Sequence, residues 1–158
     1  KEKRKKTYWA GLLHDIGKVI IPQNILNKKG KLTEEEYEII KKHPRWGYQT
    51  LKPSEELSEI AEYILYHHER WDGKGYPEGL AGEAIPKISQ ILAVADAWDA
   101  MTSKRSYRDS LELEVAIAEL HENSGTQFSP EIVKSFFETK KSSIEESTSA
   151  SKNIQFLA

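Results

Sequence analysis

Residues that commonly bind metal ions occur in short clusters along this chain. They are four histidines and two aspartates: His14, Asp15, His43, His67, His68 and Asp96. Most of them fall in segments whose neighbours have the apolar pattern of a buried helix. A carboxylate or imidazole buried there is costly unless it is paired or bound to a metal ion. The pattern therefore predicts one metal centre, assembled from residues that several helices supply.

The donor atoms of these residues limit the metal and the chemistry. The chain contains no Cys, so the ligands are imidazole nitrogens and carboxylate oxygens, which suit iron, manganese, zinc or nickel. A carboxylate that bridges two ions about 3.5–4 Å apart would hold a water, which becomes a hydroxide nucleophile near neutral pH. Sites of this kind hydrolyse phosphate esters.

Cationic residues near these clusters fit a phosphate substrate. Lys18 lies one turn after Asp15 and could neutralise a phosphoryl oxygen, or it could serve only as a cation at a helix C-terminus. Arg105 and Arg108 could clamp a phosphate with paired hydrogen bonds, or they could be surface arginines. One of these two arginines could also be an ion-pair partner of Asp96.

Four of the candidates keep a structural alternative when each is taken alone. His14 and Asp15 could cap a helix end, and His43 could end a helix because Pro44 follows it. Asp99 lies one helical turn after the last metal-type aspartate. Its role is open between support of the metal centre and a purely structural contact.

Helices are the elements that must position these residues. Residues 8–14 have the composition of an apolar helix end, which Gly17 terminates. Residues 16–32 are predicted to be an irregular connector, because they contain turn-forming residues. Thr33 and Glu36 form a capping box, which opens a helix that runs to about residue 42.

The second half of the chain is also predicted to be helical. A helix that begins at Ser54 carries an apolar stripe up to the histidine pair. Residues 70–86 are rich in Gly and Pro and predict a structured loop. Residues 88–101 are apolar almost all round, as in a central buried helix. Two further helices follow over residues 110–123 and 130–137, the second capped by Ser129. Strand patterns are absent, so the predicted fold class is all-α.

The composition bounds the class of protein. At 158 residues, 38 % of them apolar, the chain fits one compact domain, predicted over residues 8–139. The basic residues 1–7 are predicted to be a connector or part of an upstream helix, and residues 140–158 a mobile tail. The net charge of −2 gives no reason to expect DNA as a partner. No segment has the roughly 20 apolar residues of a membrane span, and the absence of Cys suits a cytoplasmic protein.

Two motifs resemble a known family. Residues 12–18, LLHDIGK, resemble the HD motif of metal-dependent phosphohydrolases. Residues 67–77, HHERWDGKGYP, resemble the signature of the HD-GYP subgroup, and the similarity extends over residues 8–138. The resemblance implies a compact helical bundle of the HD-domain type, with an irregular loop that carries the Gly-Tyr-Pro sequence.

The resemblance also implies an activity and a role for each candidate. HD-GYP proteins are metal-dependent phosphodiesterases that hydrolyse cyclic di-GMP to linear pGpG or GMP, and some act on cyclic GMP-AMP. The implied ligands of two or three divalent ions, with iron or manganese favoured, are His14, Asp15, His43, His67, His68 and Asp96. Asp15 would bridge two ions, and Lys18 would contact the scissile phosphate. Substrate contacts are expected from Lys18, Tyr76, Arg105 and Arg108, and support of the ligands from Asp72 and Asp99.

The chain departs from the family pattern in two places. The family supplies one further His, or a Glu, from a helix upstream of the HD motif, and no His precedes His14 here. Gln90 stands where the family usually has Arg. The missing ligand motivates one alternative, a cyclic-dinucleotide receptor with weak or no turnover. A second alternative is a phosphodiesterase for cyclic GMP-AMP or other nucleotides.

The resemblance further implies partners within a longer protein. Members of the family usually act as output domains behind a sensor or receiver domain. Such a domain is expected upstream in the parent protein, and a homodimer is a further expectation.

Overall fold

The computed structural model describes residues 1–104 and 110–140. Two predicted substrate contacts, Arg105 and Arg108, lie outside the described residues. So do residues 141–158, which make up nearly all of the predicted tail.

Helices make up the regular structure of the domain. The α-helices are α1 Glu2–Leu13, α2 Gln23–Leu26, α3 Glu34–Ile40, α4 His43–Leu51, α5 Ser58–Leu65, α6 Lys87–Thr102 and α7 Leu113–Glu122. Residues 130–140 form a further helix, α8, and 3-10 turns cover Ile16–Ile20 and Gly82–Ala84. In residues 1–104 and 110–140, β-type pairing is limited to two isolated bridges. The all-α prediction is therefore confirmed.

Two apolar clusters share α6, which makes it the central helix of the bundle. The first joins α1, α4, α5 and α6, with the buried residues Ala10, Leu51, Ile64 and Leu92. The second joins α6, α7 and α8, with the buried residues Val94, Leu120 and Val133. Complete burial of one such aliphatic side chain contributes about 1.5–3 kcal/mol. Because α6 packs on both sides, the position of its Asp96 is fixed against both halves of the domain.

The basic start of the chain is part of the bundle. Residues 2–7, predicted to be a connector or part of an upstream helix, form the first turns of α1. The Lys6 ammonium lies 2.7 Å from Glu59 of α5 and 2.8 Å from Glu2 on its own helix. These ion pairs lie at the surface and align α1 with α5, but each adds little stability there.

Local sequence signals predicted some helix boundaries and missed others. The capping box forms as predicted, since Thr33 Oγ accepts from the Glu36 amide and the Glu36 carboxylate accepts from the Thr33 amide. The predicted helix start at Ser54 was wrong, because the Leu57 amide donates to the Ser54 carbonyl and closes a separate turn first. α5 therefore begins at Ser58.

Two other expectations need correction. α6 is not buried on all sides, since Ala95 and Asp99 in its second half are exposed. The Ser129 carbonyl accepts from the Val133 amide at the start of α8. Its hydroxyl, however, is buried and has no hydrogen-bond partner within the described residues, so the predicted side-chain cap does not form.

Among residues 1–104 and 110–140, no helix combines the length and the apolar character that crossing a bilayer requires.

Candidate metal centre

The six predicted metal ligands come from four elements that meet at one place. His14 and Asp15 follow the last residue of α1, and His43 is the first residue of α4. The histidine pair lies in the turn that directly follows α5. Asp96 lies in the second half of α6. Helix ends can direct several side chains at one point, whereas neighbouring residues within a helix point about 100° apart.

A glycine allows the HD motif to contact α4. The 3-10 turn that follows Asp15 packs on the start of α4 through Gly17, which is buried. A Cβ at Gly17 would lie 2.0 Å from the His43 carbonyl oxygen and 2.6 Å from the Gly47 amide nitrogen. No side chain fits there without moving backbone. The close approach leaves Asp15 Oδ1 3.4 Å from His43 Nε2.

The donor atoms lie at distances suited to shared ions. His43 Nε2 is 3.4 Å from His67 Nε2, and donor atoms of both lie within 4.8 Å of a donor atom of His68. His14 Nε2 is 3.5 Å from Asp15 Oδ2 and 3.7 Å from Asp96 Oδ1. The structure thus brings all six predicted residues together around one small space.

Backbone contacts orient three of the imidazole rings. His14 Nδ1 lies 2.7 Å from the Gly11 carbonyl, His43 Nδ1 lies 2.8 Å from that of Ile40, and His67 Nδ1 lies 2.5 Å from that of Ile64. A carbonyl oxygen only accepts, so each Nδ1 carries the hydrogen and donates. The Nε2 lone pair of each neutral ring then faces the shared space. This is the arrangement that protein carbonyls impose on histidines that bind metals.

An unsatisfied oxygen supports metal binding at this point. Asp15 Oδ1 is buried and has no hydrogen-bond partner within the described residues, while Oδ2 accepts from Lys18 Nζ at 2.7 Å. His43 Nε2 lies 3.4 Å from Oδ1 and presents a lone pair and no hydrogen. A buried carboxylate oxygen facing an imidazole lone pair is stabilised by a cation between them. The residues therefore fit a divalent metal centre.

The pKa shifts keep most of the ligands in their metal-binding form. Burial lowers the pKa of His43 and of His67, and it lowers the pKa of His68 to about 3. Burial alone would raise the pKa of Asp96, but His14 and the other imidazoles hold it below its usual range. In return Asp96 raises the pKa of His14. At neutral pH the centre therefore offers the neutral imidazoles of His43, His67 and His68 and the ionised carboxylate of Asp96.

These shifts predict that the metal-free protein loses stability in acid. Below about pH 6.5 the unfolded chain protonates His68, whereas the folded protein does not until about pH 3. Stability therefore falls as the pH falls, by about 2 kcal/mol for His68 between pH 6.5 and 5. The raised pKa of His14 acts in the opposite sense, so the test compares two proteins. Urea unfolding at pH 7 and 5 should show a larger loss for the wild type than for His68→Asn. Equal losses of stability in the two proteins would contradict a lowered pKa of His68 in the folded protein.

The Gly-Tyr-Pro loop lies against the histidine pair. The Tyr76 ring stacks on the His68 imidazole, with centroids 4.9 Å apart and planes inclined by 29°. The Tyr76 amide donates to the His68 carbonyl at 3.2 Å, and the peptide bond to Pro77 is cis. Burial raises the pKa of Tyr76, so its hydroxyl stays protonated. The loop thus forms one wall beside the metal centre.

A buried carboxylate that the motifs did not single out holds this loop. Glu69 directly follows the histidine pair and is 3 % exposed. Its Oε1 accepts from the amides of Glu78 at 2.7 Å and Gly79 at 3.1 Å, and its Oε2 accepts from the amide of Leu80 at 3.1 Å. Three backbone donors satisfy the carboxylate where no side-chain cation is described. The sequence signal that could have indicated this role is the position of Glu69, an acidic residue that follows the histidine pair and precedes the glycine-rich loop.

The two aspartates predicted to support the ligands have other described contacts. Asp72 forms a two-point ion pair with Arg70, with nitrogen–oxygen distances of 3.0 and 2.9 Å, and Arg70 lowers the pKa of Asp72 to about 2. Asp99 accepts from Ser103 Oγ at 2.8 Å on the exposed side of α6. Asp72 therefore fixes the loop, and the predicted support of the ligands by both aspartates stays a prediction.

Gln90, the second departure from the family pattern, is buried under the loop. Its amide nitrogen donates to the Ile85 carbonyl at 2.8 Å. This contact ties the start of α6 to the end of the loop. In this chain a neutral hydrogen bond therefore occupies the position where an arginine was expected.

The loop contacts predict a specific effect of Glu69→Gln. The amide side chain keeps an acceptor for Glu78 and Gly79 but turns a donor toward the Leu80 amide. Hydrogen bonds to charged groups contribute about 1.5–3 kcal/mol, so exchange of the Leu80 amide should accelerate about 10- to 100-fold. Metal content should stay at the wild-type level. The matched control is Glu78→Gln, which removes the same charge from the outer side of the loop, where Glu78 pairs with Arg45. Unchanged exchange in Glu69→Gln would disprove the anchoring role.

Comparison with known proteins identifies the family. The sequence profile of the HD domain matches residues 1–132, so this chain belongs to the HD domain family. The resemblance to HD-GYP proteins that the motifs indicated is thereby confirmed.

Similar proteins carry phosphodiesterase names. A cyclic di-GMP phosphodiesterase of Thermotoga maritima is 48 % identical over 135 residues, which are 84 % of this chain and 37 % of that protein. A 3′3′-cGAMP-specific phosphodiesterase of Vibrio cholerae is 44 % identical over 131 residues, which are 82 % of this chain and 25 % of that protein. This chain thus spans about a third or less of the length of these relatives.

A solved structure supports the fold. The crystal structure of a cyclic GMP-AMP specific phosphodiesterase of Vibrio cholerae superposes with a TM-score of 0.63 at 22 % identity. The match covers 86 % of this chain and 38 % of that one. The predicted HD-domain type of helical bundle is confirmed.

Proposed function

We propose that this domain is a metal-dependent phosphodiesterase that hydrolyses cyclic di-GMP to pGpG or GMP. The observation that carries the proposal is the unsatisfied Asp15 Oδ1, which faces His43 Nε2 while a lysine contacts the other oxygen of the same carboxylate. Such a site combines metal ligands with a cation that can bind a phosphoryl oxygen. The names of the similar proteins support the substrate class.

The centre would hold two or three divalent ions, with iron or manganese favoured by the nitrogen and oxygen donors. The ligands would be His14, Asp15, His43, His67, His68 and Asp96. Bound ions supply Lewis-acid activation of the phosphoryl group and of the attacking water. The chain itself fixes the ligand geometry through helix ends and carbonyl-oriented imidazoles.

Lys18 would act directly on the substrate. Its ammonium group lies 2.7 Å from Asp15 Oδ2 and is partly accessible, so it can exchange this contact for one with a phosphoryl oxygen. Charge grows on the phosphoryl oxygens in the transition state, and a fixed cation beside them lowers its energy. Asp15 holds Lys18 in place until the substrate arrives.

The walls of the site would bind the rest of the nucleotide. Tyr76 presents an aromatic ring, held by His68, beside the metal centre, and its neutral hydroxyl can donate to the substrate. We also expect Arg105 and Arg108 to bind phosphates, although both lie outside the described residues. Aromatic and guanidinium groups are suited to flat bases and phosphates respectively.

A substrate panel tests the proposal. Metal-loaded protein is incubated without oxygen with cyclic di-GMP, 3′3′-cyclic GMP-AMP or bis(p-nitrophenyl) phosphate, and products are separated by chromatography. The proposal predicts the highest kcat/KM for cyclic di-GMP, since the higher of the two identities, 48 % against 44 %, is to the cyclic di-GMP enzyme. A higher value for cyclic GMP-AMP would reassign the substrate. Cleavage of bis(p-nitrophenyl) phosphate with no cleavage of either dinucleotide would show that cyclic dinucleotides are not the substrates.

The parent protein would be a signalling protein. The relatives are longer than this chain, which supports an upstream sensor or receiver domain that regulates the phosphodiesterase. We further propose a homodimer and a cytoplasmic location. The absence of Cys from the chain supports the second of these.

A further inference from the structure

A cavity adjoins the metal centre on the side of Lys18. It has a volume of about 510 Å³ and lies between the 3-10 turn after the HD motif, α2, residues 28–32 and the end of α3. The aliphatic residues Leu26, Leu32 and Ile40 line it together with the lysines Lys18, Lys28 and Lys31. Small-molecule sites have volumes of about 300–1,000 Å³ and combine apolar walls with a few polar groups. The cavity meets both conditions.

The lysines make this cavity suited to an anion. No carboxylate is among the described residues that line it. Lys18 contacts Asp15, and Lys28 lies 2.6 Å from Glu36 on the adjacent helix. Lys31 forms no ion pair within the part of the chain that the structure describes. Its charge is therefore available to a ligand, beside aliphatic walls that can cover the face of an aromatic base.

Lys18 connects the cavity to the metal centre. Its Nζ lies 2.7 Å from Asp15 Oδ2, while its side chain also lines the cavity. A phosphodiester held at Lys18 would therefore lie beside both the metal centre and the cavity.

We propose that this cavity is the subsite for the half of the cyclic dinucleotide that is not cleaved. Lys31 binds the second phosphate, and the aliphatic walls formed by Leu26 and Leu32 contact the second purine base. The inference rests on the proposed function and adds to it the group that distinguishes a cyclic dinucleotide from a smaller phosphodiester.

The test exchanges two neighbouring lysines one at a time. Lys31→Glu changes the charge inside the cavity, and Lys29→Glu makes the same change at an exposed residue of the same loop that does not line it. Loss of one phosphate contact of about 1.4 kcal/mol raises KM for cyclic di-GMP about tenfold. This rise is expected for Lys31→Glu and not for Lys29→Glu. Hydrolysis of bis(p-nitrophenyl) phosphate, which lacks a second phosphate, should be unchanged in both.

Several outcomes overturn the subsite. An unchanged KM for cyclic di-GMP in Lys31→Glu would refute the subsite. An equal rise of KM in both variants would show that the effect is a long-range effect of charge and not a contact in the cavity. An equal loss on the synthetic ester assigns Lys31 to the reaction centre instead. If the protein shows no turnover, calorimetric titration with cyclic di-GMP compares the Kd values of Lys31→Glu and Lys29→Glu with that of the wild type. A wild type that binds the dinucleotide tenfold more tightly than Lys31→Glu without cleaving it supports the subsite while refuting the phosphodiesterase.

Discussion

Asp15→Ala is expected to abolish metal binding and phosphodiesterase turnover without unfolding the protein. The substitution removes the only carboxylate that contacts both His14 and His43 among the described residues, with oxygen–nitrogen distances of 3.5 and 3.4 Å. It also releases Lys18 from its fixed position. We expect turnover to fall on the order of 10³-fold or more, because removal of one preorganised group alone costs 10²–10³.

Elemental analysis and turnover measured on one preparation check this expectation. The metal-free variant should unfold at a similar urea concentration, since the lost Asp15 Oδ1 makes no hydrogen bond within the described residues. The control is Glu62→Gln, which removes a carboxylate from a surface pair with Lys52. Wild-type metal content together with wild-type turnover in Asp15→Ala would exclude Asp15 as a ligand.

Gly17→Ala is expected to destabilise the domain and weaken metal binding together. The new Cβ would lie 2.0 Å from the His43 carbonyl oxygen and 2.6 Å from the Gly47 nitrogen, and both are backbone atoms that cannot rotate away. The 3-10 turn and α4 must separate, which we expect to cost about 3 kcal/mol. The same separation draws Asp15 away from His43.

Gly11→Ala provides the control for this substitution. A Cβ at Gly11 meets only a side-chain carbon of Leu92, at 3.9 Å, and Gly11 lies within α1. Ala in a helix is favoured over Gly by up to about 1 kcal/mol, so this variant should match or exceed the wild type in stability. Urea unfolding of the metal-free proteins and manganese titration measure both effects. Wild-type stability and wild-type affinity for manganese in Gly17→Ala would show that the close approach of the 3-10 turn to α4 does not position the metal ligands.

The sequence was most informative where one physical constraint acts over a few residues. The capping box of Thr33 and Glu36 predicted the start of α3, because both partners lie within one turn. The metal-type residues were recognisable because their polar side chains interrupt apolar segments. Their convergence could be expected from the cost of burying each one alone.

The features that were missed depend on contacts between distant residues. Glu69 is satisfied by amides nine to eleven residues later in the chain, and no periodic pattern encodes such a contact. The need for Gly17 arises from the His43 carbonyl, which reaches it only in the folded protein. The exposure of Ala95 and Asp99 in α6 likewise depends on which elements pack around the helix, since its composition alone predicted burial on all sides.

The most direct test of the central claim is the metal dependence of cyclic di-GMP hydrolysis. The protein is stripped with a chelator and assayed, then reloaded with manganese or ferrous iron without oxygen and assayed again, with metal content measured at each stage. We predict no product from the stripped protein and formation of pGpG or GMP after reloading. Undiminished turnover by stripped protein would contradict a metal-dependent phosphodiesterase. Bound ions and bound cyclic di-GMP with no product would instead identify a receptor.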